Sequence, residues 1–169
     1  MKKYSKIFLA MTIICVVFLV IFITVMIIKG ISFDLNCKAY IKRAAEASNV
    51  EMAKEELSKA IDYAESNNLT EGIVSIFLKN PTNDIGFWYN NMKAAYQELE
   101  NLPEETSALE KTNVLMKLRE SLTDRDNGNT EVTHPTGISI YPNNVLYFWW
   151  GMASIIGICV FRNLSRNIN

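Results

Sequence analysis

The sequence predicts a mainly α protein in which an N-terminal and a C-terminal transmembrane helix flank a small helical-bundle domain, with room for a short two-stranded β-ribbon. Three observations predict it. Residues Ile7 to Ile28 run for twenty-two positions without a charge, Val145 to Phe161 run for seventeen, and all eighteen Asp and Glu lie between them, from Asp34 to Glu131. Averaged over 169 residues, 49% hydrophobic content resembles an ordinary soluble chain. The order of residues shows otherwise, because the ends are apolar and the middle is polar.

The first run spans roughly 33 Å as a helix, enough for a hydrocarbon core about 30 Å thick. A cleaved signal peptide is the competing reading, but its apolar stretch is usually shorter and a small-x-small cleavage site should follow. Lys29 and Gly30 follow instead. The second run reaches roughly 26 Å, the lower edge for a span, so its flanks decide. Tyr141, Tyr147, Phe148, Trp149 and Trp150 crowd one end, where amphipathic rings suit the headgroup level, and Arg162 and Arg166 hold the other. Ala153 and Gly157 stand four apart, the small-xxx-small spacing that lets a neighbouring helix approach closely.

Charge sets an expected orientation. Eighteen acidic against eleven basic residues between Asp34 and Glu131 leave that segment at −7, while the tails before Ile7 and after Phe161 carry only Lys2, Lys3, Lys6, Arg162 and Arg166. Positive charge near span ends tends to stay cytoplasmic, and around the second span Arg162 and Arg166 outweigh Arg125. Around the first span the count is nearly a tie. The expected layout is a basic tail (1–6), a span (7–28), a helical extramembrane domain (31–144) outside the cytoplasm, a span (145–161) and a basic tail (162–169). Both termini are expected on the cytoplasmic side of a cell membrane. The acidic middle argues against nucleic acid, whose phosphates need a basic footprint.

Between the spans the apolar spacing is mostly helical. Cys37, Ile41, Ala44 and Ala45 form a short stripe. Ser48 and Glu51 have the spacing of a capping box, and beyond them Val50, Ala53, Leu57, Ile61 and Ala64 align, with Glu55 and Lys59 as an exposed pair. A third stripe, Ile85, Trp88, Met92, Ala95 and Leu99, opens on Asn83 or Asp84 as cap. A fourth is Ala108, Thr112, Leu115, Leu118 and Leu122, with Pro103, Glu104 and Glu105 read as its start and almost no loop before it. GIVSIFLKNP (Gly72 to Pro81) and PTGISIYPNN (Pro135 to Asn144) are β-branched and closed by Pro, so they are the candidate strands of the ribbon. Asn127, Gly128 and Asn129 mark a flexible loop.

Catalytic chemistry finds little support. His134 is the only histidine, and neither Cys-x-x-Cys nor His-x-x-x-His spacing occurs. Phosphate loops and the Gly-x-Ser-x-Gly elbow are absent. No catalytic residue, metal or cofactor is expected, and the chain is not expected to be an enzyme. Cys15 and Cys159 sit within the proposed spans, which leaves Cys37 as either a small buried apolar residue or a thiol that bridges two chains.

The most unusual stretch of the middle is GFWYNN, Gly86 to Asn91. On a helix Trp88, Met92 and Ala95 face the core while Phe87, Tyr89, Asn90 and Asn91 point elsewhere, so part of the aromatic cluster is a candidate contact surface. At GFWYNN, at LEKTNVLMKLRE (Leu109 to Glu120) and at GISIYPNN the chain resembles a family of small bacterial two-span membrane proteins to which no activity is assigned. That likeness covers roughly residues 36–144 and implies a bacterial cytoplasmic membrane; no functional residue comes with it.

The expected function is therefore an interaction role: a membrane-anchored helical scaffold that holds a protein partner or a second copy of itself. Its candidate contacts are Phe87, Trp88, Tyr89, Asn90 and Asn91, with Ala153 and Gly157 in the second span. The alternative is an extracytoplasmic ligand sensor, which with only eight residues after Phe161 would signal through a separate partner protein.

Overall fold

The first helix does not stop where the apolar run stops. In a computed structural model that describes residues 2–126 and 129–167, α1 (Lys2–Phe33) passes through Lys29 and Gly30, continues as a π turn (Asp34–Lys38) and ends as α2 (Ala39–Ala45). The uninterrupted stretch Tyr4–Ala45 is 42 residues long. A glycine in a helix interior costs only about 1 kcal/mol, and Gly30 does not end the helix. The buried residues Phe33, Cys37, Ile41 and Ala45 recur every four positions, a longer period than the 3.6 of an α-helix. The wider π turn restores them to one face.

The chain forms two compact units. One comprises Met1–Gly30 and Asn143–Asn169, in which α1 and α6 (Asn144–Asn167) run antiparallel. The expected second span lies inside α6, which extends past Arg162 and Arg166. Ser5 and Ser165 each donate to the other's carbonyl at 3.4 and 3.3 Å, Phe8 stacks on Phe161, and Phe22 tilts against Trp150. On α1 the less exposed positions include Ser5, Phe8, Thr12, Cys15, Leu19, Phe22 and Met26; on α6 they include Tyr147, Gly151, Ser154, Ile158, Phe161 and Ser165. Alternating steps of three and four give the 3.5-residue period of a left-handed helix seam. Away from it, α1 and α6 expose Ile, Leu, Val and Phe almost without interruption. Both helices are long and apolar enough to cross a membrane, with none of the most apolar stretch of α1 buried and 22% of that of α6.

The other unit is Ile31–Pro142. Here α3 (Val50–Ser66) packs on α2 and on α4 (Ile85–Glu100), and α5 (Ala108–Leu122) packs on α2 and α4. Alanines make the α2 and α3 faces flat: Ala44, Ala53, Ala60 and Ala64 are buried, so the two helices approach closely and enclose Ile41 and Leu57. Arg119 on α5 donates to the Ala45 carbonyl at 3.2 Å, satisfying an orphan acceptor at the end of α2.

The caps correct the sequence reading in two places. Asn49, not Ser48, starts α3, accepting from the Met52 amide at 2.7 Å. α5 begins at Ala108 with Ser107 as its cap on the Glu110 amide, after a connection (101–107) closed by Thr106 on the Pro103 carbonyl. Pro103, Glu104 and Glu105 are therefore loop, and the connection before α5 is not short. Asp84 does cap α4, its Oδ1 accepting from the Phe87 amide at 3.0 Å.

The β-ribbon also lies elsewhere. β1 (Thr123–Asp126) pairs antiparallel with β2 (Asn129–Val132), whereas Gly72 to Pro81 contributes one isolated bridge, Ile73 to Asp84. Ile138–Ile140 is a 3-10 turn entered through Gly137 at φ 84°. Asn127 and Gly128, the core of the expected flexible loop, lie outside the described residues. Gly72 adopts φ 107°, and a Cβ there would strike the ring of Tyr141, so only glycine lets the two expected strand segments cross at that point.

Candidate functional site

A half-open apolar concavity of the Ile31–Pro142 unit lies along the first turns of α4. Its near wall is set by local capping. Asn80 accepts from the Thr82 amide at 3.1 Å, Pro81 occupies the first position of a 3-10 turn, and Asp84 then caps α4. Its floor is α4 itself, where Trp88 and Met92 are buried while Phe87 stands 66% exposed on the rim, with Asn91 also exposed. The far wall comes from the end of α5, Ser121 and Leu122, and from the exit of β2, Thr133, His134 and Pro135. The Thr133 amide donates to the Leu122 carbonyl at 3.0 Å and fixes this wall. The cleft measures about 310 Å³.

His134 is its one imidazole. The ring lies edge-on to Phe33 at 5.2 Å, with Nδ1 3.3 Å from the Pro135 carbonyl. Burial pushes its pKa below the ordinary 6.5 and Lys38 pushes the same way, against the Pro135 carbonyl, Asp34 and Glu131. The ring is therefore neutral at pH 7. A depressed histidine pKa adds stability that is fully present above the unfolded value of about 6.5 and lost as pH falls through the lower folded value. Urea unfolding followed from pH 7.5 downward should show this unit losing stability below pH ~6.5, and His134→Gln should remove that part of the slope.

The sequence-derived residues divide between several places. Phe87, Trp88 and Asn91 meet at the cleft, while Asn90 is exposed and lines none of it. Tyr89 is not a surface aromatic: it is 7% exposed, its hydroxyl donates to Glu65 on α3, and Lys93 donates to that hydroxyl at 3.1 Å. In the other unit Gly157 is already in contact, since a Cβ there would come within 2.7 Å of Cys15 Sγ, and Gly151 faces Phe22 in the same way. Ala153 is exposed along a shallow groove with Met152, Ile156 and Val160. The small residues that bring α6 to α1 are thus Gly151, Ser154 and Gly157, three apart rather than four.

Cys37 is fully buried, its Sγ 3.8 Å from the Ala60 carbonyl, and burial raises its pKa to about 12. A thiol so placed supplies no thiolate for bridging chains. Among the described residues, no three His, Cys, Asp or Glu side chains converge to hold a metal ion. His134, Leu122 and Pro135 escaped the sequence reading as cleft residues. The sequence signal was the Asn127-Gly128 dipeptide between short polar runs, which two-residue hairpins favour.

Protein-family models, curated proteins and solved structures give no match to the chain. A half-open apolar cleft with an amide, three hydroxyls, the Asp84 carboxylate and an imidazole near its edge can hold an aromatic or aliphatic group and orient it by a few hydrogen bonds.

Proposed function

We propose that the protein is a membrane-anchored scaffold whose α4 cleft receives an apolar side chain of a partner protein. The observation that carries this reading is Phe87, a large ring two-thirds exposed above the buried pair Trp88 and Met92. Exposed aromatic anchors beside a concave apolar floor are where binding energy concentrates in protein interfaces. Anchoring is supported by the uninterrupted apolar outer faces of α1 and α6. The basic flanks and the acidic middle support a location of residues 31–144 outside the cytoplasm, and the likeness to bacterial two-span proteins favours a bacterial cytoplasmic membrane.

A photo-crosslinking phenylalanine at position 87, with position 90 as control, tests the reading in intact membranes. Position 87 should capture one defined protein and position 90 should not. Phe87→Ala should then weaken retention of that protein by roughly thirty-fold, the effect of an interface hot spot of about 2 kcal/mol. Equal labelling from both positions, or none, contradicts it. The cleft's concavity favours a second reading, a sensor of a small apolar ligand, which predicts a co-purifying small molecule lost in Trp88→Ala.

A further inference from the structure

The most exposed large apolar side chain among the described residues belongs neither to α1 nor to α6. It is Leu78, 82% exposed, beside Phe77 at 71%, while residues on the outer face of α1 between Ile7 and Ile31 reach at most 60%. Both sit at the tip of a loop whose base is fixed. The Val74 amide donates to the Asn83 carbonyl at 3.0 Å and the Ile85 amide to the Gly72 carbonyl at 2.8 Å. The Asn83 side-chain amide donates to Ser75 Oγ at 2.7 Å. Below the tip Val74 is buried, so the stem is anchored in the core and the tip projects.

The charge around the tip is unlike that of the segment that carries it. Residues 31–142 are acidic overall, yet no Asp or Glu lies between Glu71 and Asp84, and Lys79 directly follows Leu78. Two adjacent apolar side chains beside a cation suit an anionic phospholipid interface, where the rings and alkyl groups enter the acyl boundary and the ammonium meets phosphate. Both ends of the unit, Ile31 and Pro142, continue directly into the two long apolar helices. Tethering by those helices keeps the whole unit near a lipid surface at high effective concentration, so a weak contact suffices.

We propose that Phe77, Leu78 and Lys79 form a third membrane contact, a loop that inserts into the headgroup layer of an anionic leaflet. The proposal rests on the membrane-anchored reading of α1 and α6. The test uses the full chain in vesicles of phosphatidylcholine with phosphatidylglycerol, carrying an environment-sensitive fluorophore at Leu78→Cys or, as control, at Leu109→Cys on α5, where the leucine is 73% exposed. Lipid-borne nitroxide quenchers should reduce emission from position 78 about three-fold more than from position 109. Lys79→Glu, or vesicles without phosphatidylglycerol, should shrink that difference. Equal quenching at the two positions overturns the proposal, as does emission from position 78 that changes only when a partner protein is added. Flotation of the same vesicles after an alkaline wash separates the two failures: a chain that stays with lipid while position 78 remains unquenched removes the loop contact and leaves the anchors standing.

Discussion

Leu57→Ala should cost the Ile31–Pro142 unit about 3 kcal/mol of folding stability. Leu57 is completely buried on α3 among Ile41, Ala53, Ala60 and Ile61, in a face that owes its flatness to alanine. Flat neighbours are already at their smallest, and the close approach of α2 and α3 leaves them little room to move inward. The cavity left by the lost atoms therefore stays open, which keeps the cost within the range of about 2–5 kcal/mol for buried leucines. Urea unfolding in detergent, read by tryptophan fluorescence, should show the midpoint fall with an unchanged slope. Met52→Ala on the same helix, half exposed, should shift it by no more than about 0.5 kcal/mol. Equal effects of the two substitutions would remove α3 from the centre of the core.

Val17→Arg is expected to have an effect of similar size and of a different kind. Val17 stands at the middle of the twenty-two uncharged residues from Ile7 to Ile28, on the outer face of α1, and is half exposed. In water an arginine there is harmless, because surface substitutions seldom exceed about 0.5 kcal/mol. In the centre of a bilayer the same residue costs about 2.5–3.5 kcal/mol on the insertion scale. Membrane integration scored by alkaline extraction should drop sharply for Val17→Arg and remain intact for Leu78→Arg. Full integration of both would mean that the outer face of α1 does not meet hydrocarbon.

The stripes were legible because burial imposes a period. Val50 to Ala64 and Ile85 to Leu99 stand where 3.6-residue spacing put them, and all but the half-buried Ala95 are core, whereas of the fourth stripe Leu118 and Leu122 are buried and Ala108 and Thr112 exposed. Boundaries were less legible, because neighbouring Ser, Asn and Thr compete for the same amides. Asn49 takes the role expected of Ser48, and Ser107 takes the start expected of Pro103. The seam between α1 and α6 was invisible for a different reason: in a stretch that is apolar all round, the inward positions Leu19 and Phe22 carry the same chemistry as the outward Val17 and Ile21.

At the cleft, half of the aromatic cluster was read as the structure places it and half was not. Trp88 and Phe87 follow from helical spacing, one inward and one outward. Tyr89 is buried because its hydroxyl finds Glu65, 24 residues away on another helix, and no local pattern encodes such a pairing. His134 reaches the cleft only because β2 turns back along the end of α5, a long-range event signalled by two residues. Exchanging the expected ribbon for the observed one moves the whole far wall of the site.

The account depends most on lipid surrounding the outer faces of α1 and α6, and one measurement addresses it directly. Nitroxide labels at Val17 and Ile156 in the reconstituted full chain should relax strongly with molecular oxygen and hardly at all with a water-soluble nickel chelate, the signature of hydrocarbon. Collisions with the chelate at both positions comparable to those at Leu109 would place the helices in water and contradict the account.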